Sequence, residues 1–280
     1  MIDLGRFADA VRELSTVVAA APDDSRAWCM LSRAQLGRGN EAAAVQAARR
    51  ASELDPADDW PYRLASTALM GLGRADDALS AAVCARSLAP HFWRSHVCLA
   101  QAAVAAGQQD LAGQASAAAL AIAPGEADVH LTAGKVALGA GDLGRARASQ
   151  QAALAIDPAN VGAFNELGLI SLRSRDAPAA AGYFLQAVRA APGSTLLGQN
   201  TEVALGKVGL SVLVWGSLVV GLAVSAVGAV LAGLVPLVVI AGLLAALATG
   251  HVARQLRRLP RPVRRRIAPT LWARRGPHRK

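Results

Sequence analysis

The sequence predicts an all-α protein: a solenoid of stacked helical hairpins over residues 1–194, then two transmembrane helices and a basic tail. Three observations carry that reading. Pro22, Pro56, Pro90, Pro124, Pro158 and Pro192 stand 34 residues apart, and Gly5, Gly39, Gly73, Gly107 and Gly141 keep the same interval. A fixed period in this range means one helical unit copied and stacked. The composition is 53% hydrophobic but only 4% aromatic, and its alanine suits closely packed helices better than a sheet. From Val208 to Gly250 the chain runs 43 residues without Asp, Glu, Lys or Arg.

The array opens in mid-unit. Gly5 to Ala10 matches the turn and second-helix start of a repeat, so residues 1–24 form a half repeat. This helix is either a natural cap or the remainder of a unit whose start codon lies upstream. Five full repeats follow at 25–58, 59–92, 93–126, 127–160 and 161–194, each read as helix, turn, helix. A residue before proline is pushed out of the α region, so Asp55, Ala89, Ala123, Asp157 and Ala191 should each close a second helix. Asp23 and Asp24, Asp58 and Asp59, Glu126 and Asp128, and Asn160 offer side-chain oxygens to the unpaired amides of the following helix. The turn glycines accept a left-handed backbone. In the fifth unit that column holds Arg175, which predicts either a changed turn or strain offset by capping from Asp176.

Side-chain columns run in register with this punctuation. In the first helices an aromatic recurs as Trp28, Tyr62 and Phe164, a leucine as Leu31, Leu99 and Leu167, and a small residue as Ser32, Ser66, Ala100, Gly134 and Gly168. The second helices carry Ala10, Ala44, Ala78, Ala112, Ala146 and Ala180, and also Ala51, Ala85, Ala119, Ala153 and Ala187. Antiparallel helices approach to about 8–10 Å, and only a short side chain at the crossing permits the near limit. Over nearly 190 residues these columns resemble tetratricopeptide repeats.

The resemblance implies a right-handed superhelix whose first helices line a concave groove for a protein or peptide partner. Mapping the family's groove columns onto this chain yields Arg26, Arg33, Trp60, Arg63, Thr67, Arg94, Gln101, Asp128, Lys135, Asn165 and Arg173. Six are basic and one is acidic, which points to an acidic segment or a terminal carboxylate held by arginine forks. The plain alternative is a solvated helix face. The asparagine pair of the family's chaperone-binding members is missing, so a chaperone-tail role is not supported.

His96 and His130 interrupt the aromatic column. A core-facing histidine is most often packed and hydrogen-bonded, with Trp93 available to fill the space beside His96. Cys84, His91, His96 and Cys98 lack the paired spacing of metal ligands, and no metal or cofactor is expected. Residues Gly139 to Gly144 satisfy a dinucleotide-binding glycine pattern but follow a helix, and two of the glycines belong to the repeat. No catalytic constellation is present, and the chain reads as a non-enzyme.

Residues 195–207 read as a capping helix with Leu196, Leu197, Val203 and Leu205 as its apolar positions. The 43 uncharged residues at 208–250 would extend about 64 Å as helix, twice the roughly 30 Å hydrocarbon core. They suit a two-span hairpin that reverses between Gly228 and Pro236, where glycine and proline concentrate.

The net charge of +9 averages two unlike parts: residues 254–280 hold eleven of the 29 bases and no acid, while 1–253 hold the other 18 bases and all 20 acids. The tail side chains Arg254, Arg257, Arg258, Arg261, Arg264, Arg265, Arg266 and Trp272 are read as facing anionic lipid on the cytoplasmic side. Nucleic acid is the competing reading, but no folded reader module accompanies the tail. An odd cysteine count, Cys29, Cys84 and Cys98, and no apolar signal core at the N-terminus place the array in the cytoplasm as well. Arginine outnumbers lysine and alanine is abundant, a bias typical of GC-rich bacterial genomes. The expected function is a scaffold in the cell membrane. Its alternatives are an accessory subunit of a membrane enzyme complex or a regulator whose tail binds nucleic acid.

Overall fold

The computed structural model describes residues 6–191, 194–231 and 235–259. Among these residues the chain is entirely helix and turn. It divides into two compact units, Met1–Pro158 and Ala159–Lys280. The first holds α1 (Phe7–Ala20), α2 (Ser25–Gly37), α3 (Glu41–Leu54), α4 (Trp60–Gly71), α5 (Ala75–Leu88), α6 (Trp93–Ala105), α7 (Gln109–Ile122), α8 (Ala127–Gly139) and α9 (Leu143–Ile156). The second holds α10 (Val161–Arg173), α11 (Ala177–Ala190), α12 (Thr195–Leu231) and α13 (Val235–Arg258).

The repeat boundaries follow local chemistry. Ala21, Asp55, Ala89, Ala123, Asp157 and Ala191 cap the C-termini of α1, α3, α5, α7, α9 and α11, each just before a proline that cannot continue the amide ladder. Within each repeat the first helix ends in a paired amide lock. Asn40 N–H donates to the Gln35 carbonyl (3.0 Å) and Gly39 N–H to the Leu36 carbonyl (3.0 Å), a pattern that needs a left-handed residue at the glycine. Gly39, Gly73, Gly107 and Gly141 have φ of 70 to 79°. Arg175 keeps the same turn with φ 58°: its N–H donates to Leu172 and that of Asp176 to Ser171. The turn is therefore unchanged, and Asp176 caps α11 by accepting from Ala179 N–H (3.2 Å).

Asp24 and Asn160 cap α2 and α10 through Ala27 and Ala163 N–H, as their positions predict. Asp59 and Glu126 make no such cap. The Asp59 carboxylate is drawn instead to side chains on α4 and α6, and Asp58 accepts from Trp60 N–H (3.0 Å).

In the first unit α2 packs on α3, α4 on α5, α6 on α7 and α8 on α9, and the first helices α2, α4, α6 and α8 also contact one another in series. Both alanine columns are buried, none of their members exceeding 4% exposure. The helix crossings show a compensation that runs through the array. Where the small column holds Ser32, Ser66 or Ala100, the residue sixteen positions later is Ala48, Ala82 or Ser116. Where the column shrinks to Gly134 or Gly168, the later residue grows to Gln150 or Phe184, and both large side chains are fully buried. A Cβ placed on Gly134 would collide with the Gln150 side chain, and one on Gly168 with the Phe184 ring. Each hairpin thus keeps close-packed density with a different division of volume.

The second unit departs from the sequence expectation at α12. Composition predicts a separate capping helix at 195–207. The structure runs one helix from Thr195 to Leu231, and no proline interrupts its amide ladder. Its buried stripe is Leu197, Thr201, Ala204 and Val208, while Leu196 and Val203 are 59% and 51% exposed. These stripe residues follow helical spacing toward α11, where Ala204 and Val208 join Ala180, Ala181 and Phe184, with Leu205, Val252 and Leu256 alongside. Val208 near the middle of α12 thus lies with Val252 and Leu256 near the end of α13, so the two helices run antiparallel. α12 ends at Leu231 and α13 begins at Val235; the residues between them, within the 228–236 stretch expected to reverse, lie outside the described residues. Among the described residues no helix is long and apolar enough to cross a membrane. The side chains of 219–242, the middle of the expected hairpin, lie outside the described residues.

Candidate interaction groove

The face shared by the first helices of the first unit contains a cleft of about 250 Å³. Arg63 and Thr67 of α4, Arg94 and Gln101 of α6 and Asp128 of α8 line it, all on columns that the sequence selects. Trp93, Val97, Cys98 and Leu131 complete the lining. The sequence reading assigns Trp93 to the space beside His96 and omits Val97 and Leu131. Their signal is present in the spacing: Trp93, Val97 and Gln101 recur every four residues beside Arg94 and so share a helical face.

The geometry changes the electrostatics expected of the groove. The Asp59 carboxylate accepts from Arg63 Nε one turn later on α4 and from Ser95 Oγ of α6 at 2.9 Å. Arg63 and Asp59 are only 19% and 15% exposed at their side chains, and the guanidinium lies 5.1 Å from the centroid of Phe92. Asp59 is therefore the tie between neighbouring repeats, and the charge of Arg63 is matched within its own repeat. Arg94 lies over Trp93, 4.2 Å from the ring centroid, and 3.8 Å from an exposed Asp128 oxygen. A cation on an aromatic face at an exposed site gains about 0.5–1 kcal/mol, which fixes its direction without consuming its hydrogen-bond donors. Gln101 Nε2 donates to Thr132 Oγ1 at 3.3 Å.

The other selected residues are dispersed. Arg26 and Arg33 are exposed on α2 and Lys135 is half-buried on α8. Trp60 packs beside Cys29, Ala48, Ala51 and Leu64, so it supports the core rather than the groove. In the second unit Arg173 is exposed, and Asn165 is engaged by the chain itself, its Oδ1 accepting from Asn200 Nδ2 of α12 at 2.9 Å. The cleft unites two of the six cations, Arg63 and Arg94. Among the tail residues, Arg258 is bound to Asp176 at 3.0 Å and Arg254 reaches the Gly250 carbonyl. Arg257 is exposed on α13. Arg261, Arg264, Arg265, Arg266 and Trp272 lie outside the described residues.

The aromatic column explains its own histidines. Trp28 Nε1 donates to the Pro22 carbonyl (2.8 Å), and His96 and His130 Nε2 make the same contact with Pro90 (2.7 Å) and Pro124 (2.8 Å). A carbonyl can only accept, so both imidazoles carry their proton on Nε2. The column keeps a flat ring six residues after the proline, and the ring carries a donor to that carbonyl at Trp28, Tyr62, His96 and His130, while Phe164 keeps the ring alone. Gly141 serves as a repeat turn and Asp142 caps α9, so the dinucleotide-like glycines are accounted for. Burial pushes the Cys29 thiol up to about 12, with Asp58 adding to the shift, and burial also raises Cys98. Neither is a thiolate nucleophile near neutral pH.

A family model described as the tetratricopeptide repeat matches residues 2–59 and 131–195. The helices between them, α4 to α7, repeat the same hairpin. Among solved structures, TTC0263, a thermophilic TPR protein in Thermus thermophilus, is 22% identical with TM-score 0.61 over 65% of this chain and 98% of its own. The APC/C hetero-tetramer Cut9–Hcn1 is 15% identical with TM-score 0.60, over 90% of this chain and 53% of that one. Human IFIT1, a dimer with m7Gppp-AAAA, is 17% identical with TM-score 0.59, over 71% and 51%. The chain spans about half the length of the last two. At these identities the likeness is one of fold. No curated protein matches the sequence.

Proposed function

We propose that this chain, whose helical hairpins are tetratricopeptide repeats, is a non-enzymatic scaffold anchored in the cell membrane that holds a protein or peptide segment on its first-helix face. The cleft at Trp93 and Arg94 carries the reading. Its apolar side, Trp93, Val97 and Leu131, suits an aliphatic or aromatic side chain. The Arg94 fork at its rim suits a carboxylate from the same segment. The partner is therefore an acidic segment with an apolar anchor.

A photoreactive residue at Thr67, exposed in the cleft, should capture the partner in intact cells. Arg94→Glu combined with Val97→Asp should abolish capture with the helical signal retained. Undiminished capture would place the partner elsewhere.

The anchor in this reading is the uncharged stretch 208–250, supported by its length and by the antiparallel pairing of α12 with α13. Arginines at the end of α13 and beyond hold that end in the cytoplasm, and two spans return the repeats to the same side. Single cysteines at Asp24 and Arg275, in a cysteine-free background, should resist an impermeant reagent until cells are permeabilised. Labelling at Asp24 alone in intact cells would leave one span and an external array.

A further inference from the structure

We infer that the junction between the last repeat turn, the middle of α12 and the end of α13 is a site for a phosphate-bearing anion, the headgroup of an acidic phospholipid. That source rests on the membrane reading above; the phosphate chemistry does not. A cleft of about 210 Å³ opens there within the second unit. Arg175 from the turn, Lys207 and Ser211 from α12 and Gln255 from α13 supply its polar lining. Leu172, Ala177 and Val208 supply an apolar part. Pockets that enclose drug-sized ligands measure about 300–1,000 Å³, so this one suits a compact group such as a phosphate ester.

The charge arrangement points to an anion. Two cations and two neutral donors line the cleft, and no carboxylate does. The nearby Asp176 is spent on Ala179 N–H and on Arg258. Among the described residues neither the Arg175 nor the Lys207 side chain has an ion-pair partner. Both are exposed.

Arg175 is the telling residue. Four repeats place glycine at this left-handed turn, and the fifth places an arginine with φ 58°. A backbone outlier held against its preference, beside a cleft that its side chain lines, is the kind of strain that persists at binding sites. The position along the helices agrees. Lys207 is the last charge before the uncharged stretch and Gln255 stands just beyond its other end. The hairpin pairing brings these two boundaries together. Cations between helices at this level are suited to lipid phosphates.

The test uses the full chain purified in mild detergent and doped with phosphatidylglycerol or phosphatidylcholine, with retained lipid counted by native mass spectrometry. Phosphatidylglycerol should be retained at least about fivefold over phosphatidylcholine, the order expected of one basic side chain beside an anionic lipid. Arg175→Gly and Lys207→Gln should each remove most of that preference, whereas Arg175→Lys should keep it. Arg175→Gly restores the residue of the other turns, so its loss of lipid cannot be assigned to misfolding. A variant with Arg264, Arg265 and Arg266 changed to Gln should retain the preference, which separates the cleft from the tail.

Displacement of the lipid from wild type by millimolar inorganic phosphate, with phosphate binding lost in the same two variants, assigns the site to a free ion instead. Equal retention of both lipids, or an undiminished preference in Arg175→Gly and Lys207→Gln, overturns the proposal. The membrane reading fails separately, if alkaline carbonate releases the chain from membranes.

Discussion

The substitution Gly134→Ser should destabilise the α8–α9 hairpin, and adding Gln150→Ala should restore most of the loss. A Cβ at position 134 would meet the Gln150 side chain, and overpacking of this kind costs about 1–3 kcal/mol. Gln150→Ala alone removes a hydrogen bond to the Leu131 carbonyl (3.1 Å), worth about 1 kcal/mol. It also removes a buried amide oxygen that has no partner, but it leaves the space opposite Gly134 unfilled, so alone it should destabilise as well. The double variant recreates the pairs at Ser32/Ala48 and Ser66/Ala82. Its introduced hydroxyl takes the column position of Ser32, whose Oγ donates to the Ala44 carbonyl (2.8 Å). Its stability should lie within about 1 kcal/mol of wild type, a coupling of about 1–3 kcal/mol between the two sites. Hydrogen exchange of the α8 and α9 amides in the full chain reads this local opening directly. Additive losses would show that the two positions do not share one packing volume, and would sink the compensation argument.

Arg175→Gly should raise the local stability of the α10–α11 hairpin by about 0.5–1 kcal/mol, the roughly 1–2 kcal/mol relieved at the left-handed turn less the extra chain entropy of glycine; exchange of the Ser171 to Asp176 amides measures it. Of the three thiols, Cys84 is exposed while Cys29 and Cys98 are buried, so an aqueous thiol reagent should modify Cys84 quickly and the other two only on unfolding. The Cys29 thiol is raised to about 12 from its ordinary value of 9.0. It therefore contributes stability in full below the ordinary value, and that contribution is lost as pH rises toward about 12. A Cys29→Ala variant should lose this alkaline sensitivity. Asp59→Asn should loosen the α4–α6 contact by about 1–2 kcal/mol, since Arg63 and Ser95 both rely on that carboxylate; a thermal melt with unchanged stability would return Arg63 to the list of available groove cations.

The repeats were legible because their determinants are local. A proline ends a helix wherever it stands, a glycine permits the left-handed turn, and an alanine column marks where helices touch, so boundaries and crossings follow from spacing alone. The fifth turn tested the limit of that logic. Arg175 keeps the glycine geometry because two backbone hydrogen bonds and the Asp176 cap hold the lock around it. The continuity of α12 is not legible, since a change from amphipathic to uniformly apolar composition alters what a helix faces without interrupting its hydrogen bonds.

The groove divides in the same way. Period and column placed Arg63, Thr67, Arg94, Gln101 and Asp128 on one face, and these five residues line the cleft at α4, α6 and α8. The tertiary structure decided which of those charges remain to be met. Ser95, 36 residues from Asp59, completes the carboxylate that holds Arg63, and Asn200 takes Asn165 from 35 residues away. A sequence period states which residues share a face, because the backbone repeats. Side-chain partners are chosen by distances between helices, and those exist only once the hairpins have stacked.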